Sequence, residues 1–353
     1  MPSHSASVPV SGESPSPGRR TPPQRKRSRR HLLIQSLVLL ALFGLVLYFA
    51  HNGITNLRKQ GIASGLGFLD RTSGFSIIQH LIPYDERSTY GQAFVVAILN
   101  TFVVSLLGML LATVCGFGLG IARVSQDWLI ARLSQVYIEV VRNIPLLLQL
   151  FFWYFGVLRS LPMPDASWRI GDIVFLNIRG LYLANPFTGE LPQLGRFNIE
   201  GGLCLLPEFV ALLLTLTTYT AAFVAEIVRT GILSVPKGQW EAGAALGLSR
   251  SDILRRVIMP QALKVMMPPL TSQWLNLTKN SSLGAAIGYP EIALVFAGTV
   301  LLQTGQAVEV MALSMSVYLL LSLTIAALSQ WYQYRQRETS NGRTSSREAG
   351  LSS

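Results

Sequence analysis

Apolar runs long enough to cross a bilayer constrain this chain more than any other feature. A transmembrane helix needs about 20 predominantly apolar residues. Runs of that order lie at 32–50, 94–122, up to about 158, 207–229, about 271–300 and 308–331. They predict an all-α integral membrane protein with six transmembrane helices. Hydrophobic residues make up 50% of the chain and charged residues only 13%. A soluble domain carries about 25% charge. The formal charge of +11 does not indicate a nucleic-acid surface. The basic residues sit in the N-terminal tail and in loops beside apolar runs, where membrane orientation accounts for them. Cys115 and Cys204 have no CxxC spacing and no metal-site pattern. Cys115, inside an apolar run, reads as a small packing residue.

In chain order, 1–31 is rich in Ser, Pro and Arg, and is expected to be a disordered basic cytoplasmic tail. Arg19, Arg20, Arg25, Lys26, Arg27, Arg29 and Arg30 should hold it inside, with 32–50 a permanent first span, since no A-x-A cleavage site follows. Residues 51–93 form a periplasmic stretch containing Phe68, Phe75, Ile77, Ile78 and Leu81. The core occupies 94–335. Gly108, Gly116, Gly118 and Gly120 suit close helix packing; no strand precedes them, so they are no dinucleotide fingerprint. Glu139 and Arg142, and again Glu226 and Arg229, stand three apart and can pair at cytoplasmic helix ends. A periplasmic insert at 159–205, with Trp168, Tyr182 and Phe187, is either a surface for an external protein or a passive insertion. Trp331, Tyr332 and Tyr334 form an interface belt, and 336–353 is a second cytoplasmic tail. Both termini are therefore placed inside.

Two polar features stand out. Within the fourth span, Thr217, Tyr219 and Thr220 belong to a hydroxyl-rich cluster, which either bonds back to its own helix or faces a polar path. The approach to the fifth span carries Asn276, Lys279, Asn280, Ser281 and Ser282. A Lys at membrane depth costs about 2.5–3.5 kcal/mol, so these groups should face a cavity or a partner and line a substrate path.

The segment 231–266 predicts two short helices in a loop between spans. The first follows Ser234 and Pro236, a capping serine and a first-turn proline, and ends at Gly247, suited to a left-handed C-cap. The second begins at Ser249 with Asp252 three residues on, and stops at Pro260. This loop resembles the coupling loop of ATP-binding-cassette (ABC) importer permeases. The family pattern is Glu-Ala-Ala, three residues, Gly, nine residues, then Ile-x-Leu-Pro. Here it stands as Glu241-Ala242-Gly243, Gly247 and Val257-Ile258-Met259-Pro260, with Gly243 a departure. Two further segments are similar to the polar amino-acid subfamily: Glu139-x-x-Arg142-x-x-Pro145-Leu146-x-x-Gln149, and Tyr219-x-x-Ala222-Phe223-x-x-Glu226-Ile227-x-Arg229-x-Gly231. That subfamily commonly shows Lys-Asp-Ser/Thr-Ser-Leu where this chain has Lys279-Asn280-Ser281-Ser282-Leu283. The missing acid argues against a strict preference for cationic amino acids.

The resemblance implies a type I (MetI-like) permease core of five helices plus one extra N-terminal helix. It implies a subunit that carries L-amino acids across a bacterial inner membrane. Its partners would be ATPase subunits docked on the loop, a second permease (a sister chain or a second copy) and a periplasmic solute-binding protein. No G-x-x-x-x-G-K-[ST] loop occurs, so the chain is expected to be no enzyme, to bind no cofactor and to leave ATP to its partner. An ion-coupled secondary transporter is the alternative; the absence of an inverted repeat and of a chain of buried Asp or Glu residues in the spans speaks against it.

Overall fold

The computed structural model describes residues 29–59, 65–186, 188–195 and 198–349. It divides into two units, Met1–Ala63 and Ser64–Ser353. In the first, α1 (Arg29–Lys59) exposes Leu37, Leu40 and Phe43 alike; a single helix apolar all round suits lipid. It begins within the expected tail and runs past the expected end of the span. The rest of the tail lies outside the described residues.

The second unit is a helical bundle: α2 (Tyr90–Arg123), α3 (Trp128–Asn143), α4 (Leu146–Phe151), α5 (Pro207–Leu233), α6 (Lys237–Ala245), α7 (Arg250–Asp252), α8 (Met259–Asn280), α9 (Leu301–Thr304) and α10 (Ala307–Ala349). Among the described residues, four helices are long and apolar enough to cross a membrane: Leu33–Gly53, Tyr90–Arg123, Pro207–Leu233 and Ala307–Arg335. A fifth span arises when Trp128–Asn143 and Leu146–Ser160, bent by 104°, are taken together. The bend follows from Pro145, which drives Ile144 into extended backbone (φ −93°, ψ 127°). The expected fifth span is not one helix. After α8 come a tight 3-10 stretch, Ser281–Ile287, a corner at Gly288 (φ +85°), and a wide π segment, Ala293–Val300, leading into α9.

The glycine stripe of α2 packs on α5. A Cβ at Gly116 would meet Val224 Cβ at 2.5 Å, and one at Gly120 would meet Val228 Cβ at 2.6 Å. Gly108 is in ordinary contact with Leu277, while Gly118 faces open space, so it does not serve packing as expected. Cys115 is likewise exposed rather than packed inside.

The insert is not helical. Strands β1 (Trp168–Ile170), β2 (Val174–Asn177), β3 (Gly180–Leu183) and β6 (Leu203–Leu205) form an antiparallel sheet in that order, and β4 (Gln193–Leu194) pairs with β5 (Ile199–Glu200). Phe175 and Tyr182 pair across β2 and β3 and, with Ile199, make a small separate core. Aromatic cross-strand pairs of this kind stabilise a sheet. Phe187 lies outside the described residues. In the stretch before α2, Phe68 and Ile77 are buried against Tyr90, Val96 and Phe296, while Ile78 and Leu81 are exposed.

Candidate functional site: a docking loop and a polar route

α5 starts beside the sheet and ends beside α6, so the bundle has a sheet end and a loop end. At the loop end, α6 closes on Gly247, whose φ of +73° requires the left-handed region. Ser249 accepts from Asp252 N–H at 3.2 Å and donates to Asp252 Oδ2 at 2.6 Å, so the predicted cap forms. Ser234 does otherwise: it ends α5 and donates to Gly231 O at 2.7 Å, while Pro236 stands at the start of α6. Gly243 is buried, and a Cβ there would reach Ile253 Cγ1 at 2.8 Å. Its departure from alanine thus lets α6 approach the turn after α7 more closely. Glu241, Ala242 and Leu246 are exposed along the outer face of this elbow. Arg250 stacks over Trp240 at 5.3 Å, and Arg256 pairs with Asp252 at 3.2 Å.

Pro260 does not end the second helix. A π turn, Ile253–Ile258, hands over to α8, and Pro260 lies in its first turn. The widened turn before it gives the proline ring room that an unbroken α-helix would deny it. The loop's second helix is therefore continuous with the polar approach, and Pro268 and Pro269 lie inside α8.

The predicted path residues divide between surfaces. Ser272, Asn276 and Lys279 share one face of α8 at helical spacing and are exposed on the single chain. Asn280 is half-buried. Ser281 is buried and donates to Thr278 O at 2.7 Å; Ser282 donates to Lys279 O at 2.8 Å. Thr217 and Thr220 are buried, and Thr217 Oγ1 has no hydrogen-bond partner among the described residues. Tyr219 packs its ring on Phe223 at 4.9 Å. The neighbouring Thr215 and Thr218 bond back to their own helix. A separate cleft of about 550 Å³ opens between α2, α8 and α10, lined by Met109, Thr113, Trp274 and Thr278 among others. None of the predicted path residues lines it.

The two acid–base pairs differ. Glu226 and Arg229 pair closely, at 2.6 Å, and Arg123 adds a contact at 3.7 Å. Glu139 and Arg142 do not pair. Glu139 accepts from Gln135 Nε2 at 2.7 Å, and Arg142 stacks over Phe223 at 4.9 Å. They do lie at a helix end, in the last turns of α3 before Ile144, and Tyr137 donates to Thr218 O at 3.0 Å, which sets this part of α3 beside the middle of α5.

Two polar groupings escaped the sequence reading. Glu291, fully buried in the corner after Gly288, accepts from Ala293 and Leu294 N–H, each at 2.9 Å, and from Tyr318 Oη at 2.5 Å. Asn100 donates to Pro290 O at 3.0 Å and to Gln79 O at 2.8 Å, and Tyr289 donates to Asn100 O at 3.0 Å. The corner is thereby tied to α2, α10 and the stretch before α2. At the sheet end, Tyr154 donates to Glu208 Oε1 at 2.6 Å and receives from Arg159 at 2.7 Å. The Pro-Glu that follows Gly288-Tyr289 was the available signal for the corner, hidden inside what read as an unbroken span.

Comparison with known proteins agrees with this arrangement. Residues 112–337 match the family described as binding-protein-dependent transport system inner membrane component. The chain is 45% identical to the putative amino-acid ABC transporter permease protein YhdX of Escherichia coli K12, over 87% of this chain and 94% of that one. It is 41% identical to the general L-amino acid transport system permease protein AapQ of Rhizobium johnstonii, over 86% and 91%. It is 34% identical to the glutamate/glutamine/aspartate/asparagine transport system permease protein BztB of Rhodobacter capsulatus, over 86% and 92%. Among solved structures, an amino acid ABC transporter with histidines superposes with a TM-score of 0.52 at 25% identity, over 70% of this chain and 95% of that chain.

Proposed function

The chain belongs to the binding-protein-dependent transport system inner membrane components, and on that premise we propose that it is the permease subunit of an ATP-driven importer of L-amino acids. The observation that carries this reading is the loop-end elbow. Gly243 allows the close approach, Gly247 the left-handed turn, and Glu241, Ala242 and Leu246 stand exposed for a partner. In this reading an ATPase subunit docks there, α8 relays its movement into the membrane, and ATP is bound and split by the partner alone. The loop end then faces the cytoplasm with both termini, and the sheet end faces the periplasm and the solute-binding protein.

A second permease, either another copy or a sister chain, covers the face of α8 that carries Ser272, Asn276 and Lys279. Left against lipid, Lys279 would cost about 2.5–3.5 kcal/mol; against a partner that also shields a polar route, it faces water and substrate. Thr217, Tyr219 and Thr220, with Asn280, Ser281 and Ser282, complete the proposed route. Asn280 leaves this part of it without an acid, which favours neutral and acidic amino acids over cationic ones. The relatives lend no support to ion-coupled transport.

The test is mild detergent extraction of the tagged chain beside a Glu241→Arg variant. An ATPase should copurify with the wild type and be lost from the variant, with membrane insertion unchanged. Retention of the ATPase by the variant, together with normal uptake, would refute the docking assignment.

A further inference from the structure

At the sheet end, a cavity of about 590 Å³ lies where both stretches outside the bundle meet it. One wall is Ile77 and Ile78 from the stretch before α2; another is Met163, Ile178 and Arg179 from the insert. Its floor is Ile287, Pro290 and Leu294, which directly follow the Lys279–Ser282 segment of the proposed route in the chain. Its volume falls within the range of small-molecule sites, about 300–1,000 Å³.

The charged groups of the lining are Arg159, Arg179 and Glu208. Both side-chain contacts of Glu208 fall on Oε1: Tyr154 at 2.6 Å and Arg159 Nη2 at 3.8 Å. The same Arg159 nitrogen donates to Tyr154 Oη. One carboxylate oxygen and most of the guanidinium fork therefore have no partner in this network. Arg179, in the tight turn between β2 and β3, makes no ion pair among the described residues. A site with a carboxylate beside two guanidinium groups, over an apolar floor, matches the two charges and the side chain of an α-amino acid. Arginine's fork suits a carboxylate in particular.

We propose that this cavity is an outer receiving site for a free L-amino acid, its carboxylate held by Arg159 and Arg179 and its ammonium by Glu208. The proposal rests on the amino-acid transport reading above and adds a station to it. Substrate released at the sheet end occupies the cavity before the bundle opens beneath it. With two cations against one acid, the lining disfavours arginine and lysine and accepts neutral and acidic substrates. It also gives both outer stretches a common purpose, since each supplies one wall.

The experiment uses the whole transporter, with ATPase and binding protein, in proteoliposomes. L-photo-leucine serves as a crosslinking probe and radiolabelled L-glutamate as cargo. Irradiation should label peptides containing 75–78 or 287–299, and excess L-leucine or L-glutamate should suppress the labelling while L-arginine does so at least tenfold less well. Ile178→Trp, an enlargement of a half-buried wall residue that leaves the Arg159–Glu208 contact in place, and Arg179→Gln should each reduce labelling and L-glutamate uptake at least fivefold. Copurification of the ATPase shows that each variant is assembled. Uptake by the wild type with no labelling of those peptides overturns the site alone. So do variants that weaken only the affinity for the binding protein, which would make the cavity a docking socket for that protein. Failure of the wild type to take up any amino acid overturns the transport reading, and this site with it.

Discussion

Gly116→Ala puts the packing of α2 on α5 to a direct test. The new Cβ would stand 2.5 Å from both Val224 Cβ and Cγ1 and 2.9 Å from Ala221 O. Ordinary carbon contacts lie near 3.5–4.0 Å, so about 1 Å must be found. Rotating Val224 moves Cγ1 but neither Cβ nor the Ala221 carbonyl, so the backbones must part. Overpacking of that kind costs about 1–3 kcal/mol, offset by up to about 1 kcal/mol from replacing a helical glycine with alanine. A net loss of about 1–2 kcal/mol is expected. Gly118→Ala is the internal control: nothing lies within 4 Å of its added Cβ, so only the propensity gain of about 0.5–1 kcal/mol remains. The two variants should shift stability in opposite directions and differ by about 1.5–3 kcal/mol. Unfolding by SDS titration in mixed micelles, followed by circular dichroism, measures both. If they agree within about 0.5 kcal/mol, the scatter expected of independent sites, the stripe is not a close-packed contact and the argument fails.

Other perturbations reach different parts of the molecule. Gly247→Ala forces an L side chain to φ +73° at about 1–2 kcal/mol; it should weaken ATPase capture in a pull-down, and Gly247→Asn should restore part of it. Tyr318→Phe removes the hydroxyl on Glu291 and should cost about 1–3 kcal/mol for a buried polar group left short of a partner, measured in the same SDS titration. In the insert, burial pushes the Tyr182 phenol up to about 12. Its raised value means that the protonated form supports the fold fully below pH 10, and that this support is lost as pH rises from about 10 towards 12. Pulsed proteolysis of the 184–198 region should show that loosening, and Tyr182→Phe should abolish it.

The helical elements were legible because their causes are local. Apolar length marked α2, α5 and α10, and glycine, serine and proline marked the elbow to within a residue or so. What escaped depends on contacts distant in the chain. Pro260 reads as a terminator unless the preceding turn widens, a property of the surrounding packing. Glu139 and Arg142 share a helix face, yet Phe223 and Gln135 compete successfully for them. The β-sheet of the insert consists of strands too short for alternation to announce, and among the described residues its small core is Phe175, Tyr182 and Ile199. Glu291 lay inside an apolar run whose length argued for an unbroken helix. Gly116 and Gly120, four apart, share one face of α2, and Gly118 falls on the opposite face; that spacing was legible in the sequence and separates the packed pair from the exposed glycine.

The continuity of α8 through Pro260 has a mechanical consequence. Its residues, Met259–Asn280, span about 33 Å at 1.5 Å per residue. One end continues from the loop-end elbow and the other carries Asn276, Lys279 and Asn280. Such an arm works as a lever: tilting it by about 10° at the elbow sweeps the far end through about 6 Å, roughly one helical turn. A small rotation imposed on the exposed loop would then suffice to shift the polar side chains past their surroundings. The Pro268–Pro269 pair sits nearly halfway along the arm, where a change in stiffness would most alter how much of that sweep arrives.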